Sequence, residues 1–227
     1  VLVPNPRPLS NLKPAFSQFK IGWMTGVDTL YAGLLAESWF TEKPLHLKYV
    51  VSGGTALRPS TATQWQQRIC PILEGYGLTE TSCFVSLNPP TDQVQLGCVG
   101  LPLPACEVRI VAEDGQDLPF GEAGELAVRG PHVINEYLNQ PEESQASLRD
   151  GWFFTGDMAV MDENGFLQIV DRKKDIVLVS GFNVYPNEVE GVIALHPDVI
   201  EVAVIGRPDD STGEAVYAYI CSRSSTL

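Results

Sequence analysis

The sequence VDRKKDIVLVSGFNVYPNEVE, residues 170–190, carries more structural information than any other stretch of the chain. The carboxylate of Asp171 is followed by three cations, Arg172 to Lys174. The apolar run from Ile176 to Val179 predicts a short buried strand that ends at a Ser-Gly turn. Pro186 suits the first turn of a helix, and acidic residues follow it where the helix N-terminus favours negative charge. The pattern predicts a charged turn, a strand and a helix start, and by itself it names no reaction.

Composition indicates a globular protein. The chain has 227 residues, of which 44% are hydrophobic and 19% charged, which is enough for one or two domains with real cores. No apolar run approaches the ~18 residues that a membrane span requires. The first residues, VLVPNPRPLS, show no signal pattern and do not begin with Met, so we expect a piece of a larger protein. Five cysteines without a CxxC pair favour a reduced, cytoplasmic setting.

The charge distribution excludes one class of partner. A net charge of −13 argues against nucleic acid, because phosphate backbones bind basic surfaces. The same total looks unfavourable for small anionic ligands, but local charge decides such binding more than net charge does. The only adjacent basic residues are Arg172, Lys173 and Lys174. This cluster is either a solvated turn or a site for phosphate or ribose, and the motifs below favour the second interpretation.

The apolar pattern changes twice and predicts three parts. Residues 1–96 alternate helical and short apolar segments, which predicts part of an α/β domain. Residues 97–170 predict a small all-β part, a distorted β-barrel, and residues 171–227 predict the start of a small α+β C-terminal domain. We expect Asp28 and Ser60 to be helix N-caps. The predicted helices are residues 28–39, 60–69 and 187–195; the predicted strands are 45–51, a strand starting at 71–73, 107–112, 125–129, a hairpin within 158–170, 176–179, 200–205 and 216–220.

The first motif with chemical content is Ser52-Gly53-Gly54-Thr55-Ala56-Leu57, directly after a predicted strand. Paired glycines let the backbone approach a flat ligand closely, because no Cβ stands in the way. An ordinary strand-to-helix turn has the same appearance, and for two glycines alone that interpretation is favoured.

The second motif is Gly75-Tyr76-Gly77-Leu78-Thr79-Glu80, at the end of another strand. Open α/β folds bind ligands at the C-terminal edge of such sheets. The ring of Tyr76 can stack on a base, the hydroxyl of Thr79 can donate to a phosphate oxygen, and the carboxylate of Glu80 suits Mg²⁺. A core tyrosine and a helix-terminal glutamate are the alternative, but six residues in this order are a specific signal.

The third motif is Phe154-Thr155-Gly156-Asp157. A carboxylate held on a tight Gly turn can accept both hydroxyls of a ribose, and Arg172 of the fourth motif could reach ribose or phosphate. A turn aspartate before a strand is the simpler interpretation of this motif alone. The segment from Gly124 to Pro131 is interpreted as a structural strand. The three histidines are scattered, without metal spacing, and we expect none to be catalytic.

In this order and spacing, the four motifs resemble the adenylate-forming superfamily along essentially the whole chain. Members of that superfamily join a carboxylate to AMP from Mg-ATP and then pass the acyl group to a thiol such as CoA. The segments VSGFNVYPNEVE and EGYGLTE, the second followed by SLNP, resemble those of the long-chain fatty acid–CoA ligases of bacteria. Two departures are Glu74, where many relatives have Asn or Gln, and Asn135-Glu136-Tyr137, which replaces a Gly-Tyr of the family.

The resemblance implies a role for each motif. Thr79 would contact the α-phosphate and Glu80 would bind magnesium, which makes these two the catalytic residues. Asp171 would be the hinge about which the C-terminal domain turns between half-reactions, and Gly181 and Phe182 would lie on the loop that forms the CoA channel. The ATP- or AMP-binding residues that the resemblance implies are Gly53, Gly54, Glu74, Gly75, Tyr76, Gly77, Leu78, Thr79, Asp157, Arg172 and Lys174.

The implied substrates and cofactors are ATP, Mg²⁺, CoA and a fatty acid. The family's phosphate-wrapping loop and C-terminal catalytic lysine are not within these residues, so we expect the chain alone to form no acyl-adenylate at a useful rate. A ligase of the same fold for another acid and a non-catalytic nucleotide-binding module stay open as alternatives. We expect a cytoplasmic protein, and peripheral contact with the inner face of the cell membrane is left open.

Overall fold

The computed structural model describes residues 1–42 and 45–223. The chain divides into two compact units, Val1–Ala105 and Cys106–Leu227. The first unit contains helices α1 (Lys13–Gln18), α2 (Asp28–Leu35), α3 (Ser38–Thr41) and α4 (Pro59–Arg68), and strands β1 (Trp23–Gly26), β2 (Tyr49–Ser52), β3 (Ile72–Tyr76), β4 (Ser86–Leu87) and β5 (Leu101–Pro102). Short 3₁₀ turns cover Leu9–Leu12 and Thr79–Thr81.

The sheet of the first unit has the order β1-β2-β3-β4-β5. The first three strands are parallel, β4 pairs antiparallel with β3, and β5 pairs antiparallel with β4. Strands β2 and β3 are buried along most of their length, as expected for parallel strands covered by helices. The core includes the rings of Tyr31, Phe40 and Trp65, and Trp65 lies 4.8 Å and 5.6 Å from the other two centroids.

The predicted helix over residues 28–39 is wrong in its length and in its cap. Helix α2 ends at Leu35, and α3 begins after Glu37, whose extended backbone turns the chain. Asp28 is the first residue of α2 rather than its cap, and its carboxylate accepts from Arg58 N (3.1 Å) and Nε (2.7 Å). A partner thirty positions away in sequence therefore overrides the local capping signal of Asp28.

Other predicted bounds shift by smaller amounts. Helix α4 begins at Pro59, and the side chain of Ser60 makes no cap, because the fixed φ of proline starts the helix one residue earlier. Strand β2 begins at Tyr49 rather than at residue 45, and β3 continues to Tyr76. The second motif of the sequence therefore starts within β3 and leaves it at its C-terminal end.

The second unit contains two sheets. The first has the order β10-β9-β7-β6, with β8 paired to β9, and the second has the order β12-β11-β14-β13. Its elements are strands β6 (Glu107–Val111), β7 (Gly124–Arg129), β8 (Leu148–Arg149), β9 (Trp152–Met161), β10 (Leu167–Arg172), β11 (Val177–Val179), β12 (Phe182–Val184), β13 (Val199–Asp209) and β14 (Gly213–Ser222), and helices α5 (Pro141–Ser147) and α6 (Pro186–Ile193).

Local turn chemistry explains the hairpins of this unit. Gly165, in the Asn-Gly turn between β9 and β10, has φ +85°, and the predicted hairpin is present. Ser180 and Gly181 both have positive φ and join β11 to β12 in a two-residue turn. The strands predicted near residues 200–205 and 216–220 are both longer and form one hairpin, β13 with β14.

The predicted fold class is confirmed: a partial α/β part, a small β part and a small α+β part built on the last sheet. None of the helices within residues 1–42 and 45–223 combines the length and apolar character that a membrane span needs.

Candidate active site

The Gly53-Gly54 pair lies at the C-terminal end of β2. Gly53 is partly buried against β3, where a Cβ would lie 3.1 Å from the carbonyl oxygen of Gly75. Gly54 is exposed, and nothing lies within 4 Å of the place of its Cβ. The strand end is therefore close-packed on one side and open on the other, which leaves room for a ligand beside the backbone.

The turn after β3 depends on Gly77. A Cβ on this residue would lie 1.5 Å from the carbonyl oxygen of Cys83, so that no other residue type fits without moving the backbone. The hydroxyl of Thr81, fully buried, accepts from Leu78 N (3.0 Å) and donates to Leu78 O (3.1 Å). These contacts fold residues 77–83 into a compact loop that presents Thr79 exposed and Glu80 partly exposed.

Glu74 is buried in β3, opposite Ser52 of β2. Its Oε1 accepts a hydrogen bond from Gly97 N at 2.7 Å. Burial raises the pKa of Glu74 to about 7, although the hydrogen bond from Gly97 acts in the opposite direction. The carboxyl group of Glu74 therefore holds the loop around Gly97 in place. Only part of its hydrogen-bonding capacity remains for a ligand.

Asp157 lies on an irregularity of β9. Glu125 of β7 pairs with Met158 and Ala127 pairs with Phe154, so that Thr155, Gly156 and Asp157 lie opposite the single residue Leu126. The hydroxyl of Thr155 donates to Leu126 O (2.9 Å) and accepts from Asp157 N (3.1 Å), which closes the bulge on itself. Bulges re-aim side chains at functional sites, and this one holds the buried carboxylate of Asp157, a residue only 3% exposed as a whole.

Arg172 lies directly opposite Asp157 in the ladder of β9 and β10. Its Nε is 3.2 Å from Asp157 Oδ1, and its side chain is 59% exposed. The register of β10 shifts at Val170, between Ile169 and Asp171, which brings Arg172 to this position. The structure thus brings together the two residues that the sequence predicted for a ribose, a buried acceptor and an exposed donor.

Asp171, the predicted hinge, is buried and fully engaged. Its Oδ1 accepts from Arg172 N (2.8 Å), and its Oδ2 accepts from Asn187 N in the first turn of α6 (2.9 Å). The side-chain amide of Asn187 donates a hydrogen bond from Nδ2 to Val170 O (3.3 Å). One carboxylate therefore ties the end of β10 to the N-terminus of α6, where negative charge is favoured.

The remaining predicted residues lie on the surface of the second unit. Lys174 is exposed in the 3₁₀ turn Lys173–Asp175 and forms no ion pair with any residue that the structure describes. Gly181 is in the turn of the β11–β12 hairpin, and Phe182, 76% exposed, begins β12. An aromatic ring this exposed at a hairpin turn is available to a ligand or to another surface.

Sequence reasoning assigned no role to Glu125, which the structure places beside the Asp157 bulge. Its Oε1 accepts from Gly156 N (3.2 Å) and its Oε2 from Lys173 Nζ (2.8 Å). The only signal in the sequence is a charged residue inside the otherwise apolar strand segment 124–128, and its partners are 31 and 48 positions away.

Metal-ligating side chains do not cluster: residues 1–42 and 45–223 contain no group of three or more His, Cys, Asp or Glu that could hold an ion. Glu80 by itself fits the way Mg²⁺ binds with nucleotides, through one or two carboxylates and phosphate oxygens. The carboxylate of Glu80 is therefore suited to a magnesium ion that binds together with ATP.

Comparison with known proteins identifies relatives of both units. The sequence profile of the AMP-binding enzyme family matches residues 1–138, and that of the AMP-binding enzyme C-terminal domain matches residues 188–226. A long-chain-fatty-acid–CoA ligase of Yersinia pestis is 44% identical over 229 residues, which are 100% of this chain and 41% of that protein. The chain thus spans about two fifths of the length of the curated relatives it matches.

Solved structures give the same grouping. The ATP-bound MatB of Rhodopseudomonas palustris has a TM-score of 0.89 and 35% identity, and the match covers 98% of this chain and 44% of that one. The o-succinylbenzoate CoA synthetase of Bacillus subtilis, in complex with its acyl-adenylate intermediate, has a TM-score of 0.88 and 31% identity, over 96% of this chain and 45% of that one.

Proposed function

Because this chain belongs to the AMP-binding enzyme family, we propose that it is part of a long-chain fatty acid–CoA ligase that forms AMP. The observation that carries the proposal is the buried carboxylate of Asp157 facing Arg172, in a chain 44% identical along its whole length to such a ligase. The substrates would be a fatty acid, ATP and CoA.

In the first half-reaction, a carboxylate oxygen of the fatty acid would attack the α-phosphorus of ATP. The bond to the bridging oxygen breaks, pyrophosphate leaves, and acyl-AMP forms. Thr79, exposed on its loop, would donate its hydroxyl to an α-phosphate oxygen, and such donors stabilise charge that develops in the transition state. Magnesium bound with Glu80 would neutralise charge on the phosphate oxygens.

The second unit would hold the nucleoside. Asp157 would accept hydrogen bonds from the two ribose hydroxyls, which is the role that acidic residues play in many nucleotide sites. Arg172 Nε lies 3.2 Å from Oδ1 of this carboxylate and would orient it, and because its side chain is 59% exposed it could also contact a phosphate oxygen. Gly53, Gly54 and residues 74–78 would line the adenine and acyl pocket.

In the second half-reaction, the CoA sulfur would attack the acyl carbonyl and AMP would leave. We propose the division into residues 1–96, 97–170 and 171–227, with Asp171 as the hinge between the last two parts. Turning about a few residues at the end of β10 would let one site serve both half-reactions. Gly181 and Phe182 would then contribute to the CoA channel, and Lys174 would lie near the linking groups.

The test uses the full-length product of the gene that encodes this chain. Acyl-adenylate is trapped with hydroxylamine using acetate, octanoate, palmitate, an aromatic acid and an amino acid. We expect palmitate to dominate, and the product to fall sharply in Asp157→Ala. If another acid gives the most product, the assigned substrate changes and the proposed reaction stands. No product from any acid, in a protein that still binds ATP, would favour a non-catalytic nucleotide-binding module.

A ligase for a different acid is the second candidate. The o-succinylbenzoate CoA synthetase shares 31% identity and a TM-score of 0.88 with this chain, so the fold alone does not choose the acid. An apolar acyl chain leaves little polar signature in a pocket, and the acid panel therefore decides between the two candidates.

A further inference from the structure

Glu125 is the one charged residue among the buried positions of β7. The strand reads GELAVR, its first five residues are buried, and Glu125 is 9% exposed. A buried carboxylate is unfavourable unless it is paired and hydrogen-bonded, and an apolar residue of similar volume is often as stable at such a position. The presence of a carboxylate here therefore needs a reason other than stability.

The two oxygens of Glu125 contact two different segments. Oε1 accepts from Gly156 N (3.2 Å), inside the bulge that carries Asp157. Oε2 accepts from Lys173 Nζ (2.8 Å), one residue after Arg172 and two after Asp171. The side chain thus connects the bulge to the start of the 3₁₀ turn that follows β10.

The Gly156 contact controls the direction of Asp157. Gly156 has φ +72°, and nothing lies within 4 Å of the place of its Cβ, so it has no side-chain packing of its own to fix this peptide. Its backbone N–H is held by Glu125, and the next peptide is held by Thr155, whose hydroxyl bonds Asp157 N. Without the carboxylate of Glu125, one side of the bulge loses its anchor.

The Lys173 contact is exposed at its lysine end, and the ion pair is weak in itself. The side chain of Lys173 is 44% exposed and that of Glu125 11%, and ion pairs of this kind contribute little to stability. Its effect is geometric, because it holds the residue next to Arg172 against the same carboxylate that holds Gly156. The carboxylate of Glu125 thus contacts a sequence neighbour of each member of the Asp157–Arg172 pair, Gly156 and Lys173.

We infer that Glu125 is a positioning residue that joins the Asp157 bulge to Lys173 and so fixes the Asp157–Arg172 pair for binding the nucleotide. The inference rests on the proposed function for its ligand, and on the described contacts for its geometry. Glu125 would touch no reacting atom.

Three variants separate the two contacts. Glu125→Gln keeps an acceptor for Gly156 N and loses the charge that pairs with Lys173. Lys173→Met loses only the ion pair, and Glu125→Ala loses both contacts. The matched control is Glu107→Ala, because Glu107 pairs with Arg129 across β6 and β7 and is exposed.

The first readout is the exchange of the Gly156 amide proton, measured by NMR in the 227-residue chain. We expect exchange about tenfold faster in Glu125→Ala, and near the wild-type rate in Glu125→Gln and in Glu107→Ala. Unchanged protection in Glu125→Ala would overturn the inference, whatever the enzyme does. If Glu125→Ala does not fold, Glu125→Gln replaces it in the test. Loss of Gly156 protection in Glu125→Gln, with protection kept in Glu107→Ala, would overturn the assignment of Glu125 as the acceptor for Gly156 N.

The second readout is the KM for ATP in the full-length protein. We expect an increase of about tenfold for Glu125→Ala and about threefold for Glu125→Gln and Lys173→Met, with kcat changed less than KM. The double variant Glu125→Gln/Lys173→Met should be no worse than either single variant, because both remove the same ion pair.

A wild-type KM in Glu125→Gln and Lys173→Met, or a loss of kcat alone, would overturn the inference. A wild-type protein that forms no acyl-adenylate would refute the proposed function, and the exchange of Gly156 would still decide the role of Glu125.

Discussion

Asp157 and Arg172 face each other across β9 and β10, with Arg172 Nε 3.2 Å from Asp157 Oδ1. The carboxylate is 5% exposed and the guanidinium side chain 59%, so the acceptor is fixed by the fold while the donor reaches solvent. A ligand that needs a buried carboxylate and a nearby cation would find both on one strand pair. Ribose hydroxyls and a phosphate have these two requirements.

Replacing Asp157 with Ala should weaken nucleotide binding far more than folding. Two hydrogen bonds to a charged acceptor would be lost, which we expect to raise the Kd for AMP roughly 10- to 100-fold. Titration calorimetry with AMP in the full-length protein measures this effect. The control is Asp117→Ala, which removes a carboxylate paired with Arg109 on the surface of the same unit. Equal affinities for AMP in the two variants would contradict the ribose role.

Gly77→Ala should destabilise the first unit strongly. The added methyl would lie 1.5 Å from the carbonyl oxygen of Cys83, so the backbone of the loop must move. Overpacking with a backbone shift typically costs about 1–3 kcal/mol in the free energy of unfolding, and we expect the upper end of this range here because only the backbone can move. Urea unfolding of the chain measures it. Gly191→Ala in α6 is the control: nothing lies within 4 Å of its Cβ, and alanine favours a helix by up to about 1 kcal/mol. Equal unfolding midpoints for the two variants would contradict the structure of this loop.

The sequence predicted the elements whose signals are local. The Asn-Gly turn at Gly165, the Ser-Gly turn at Gly181 and the proline that starts α6 are all present where the residue type requires them. The two motif residues Asp157 and Arg172 also lie side by side, and their contact with a ribose stays a prediction. Each of these signals depends on the backbone preference of a residue or on a short pattern.

Long-range contacts and strand register were not predictable in the same way. Strand β1 has the four residues WMTG, in which apolar and polar residues do not alternate and Trp23 is exposed, and it forms because β2 offers a parallel edge. Asp28 looks like a cap locally, but its partner is Arg58. Glu125 contacts residues on β9 and after β10, where the strand register is irregular, and a local sequence pattern does not predict such irregularities.

Stability should depend on pH through Glu74. Burial raises the pKa of this carboxyl from 4.5 to about 7 in the folded chain. Between these two values the unfolded state releases the proton and the folded state keeps it, so that the free energy of unfolding falls as pH rises. At 1.36 kcal/mol for each pH unit, the loss from this group between pH 4.5 and 7 is at most roughly 3 kcal/mol.

Glu74→Gln isolates this contribution, since the amide oxygen can still accept from Gly97 N and carries no proton equilibrium. The difference in unfolding free energy between Glu74→Gln and the wild type should grow in favour of the variant from pH 5 to pH 8. Denaturant melts at several pH values measure it. A difference that stays constant over this range would show that the carboxyl titrates at its ordinary pKa.

Asp171 should stabilise α6 in particular, because it accepts from Asn187 N at the start of that helix and from Arg172 N at the end of β10. Replacing it with Ala removes a cap and leaves two donors without their carboxylate, which we expect to cost about 1–2 kcal/mol. The loss should be local: amide exchange in α6 should accelerate about tenfold, while amides of β7 keep their protection. Asp175→Ala is the control, because Asp175 lies exposed in the adjacent 3₁₀ turn.

If Asp171 is the hinge of the second half-reaction, the full-length Asp171→Ala variant should also lose thioester formation more than acyl-adenylate formation, since only the former would require α6 to move as one piece with the end of β10. Equal losses in both half-reactions would leave Asp171 the cap of α6 and remove its role as a hinge.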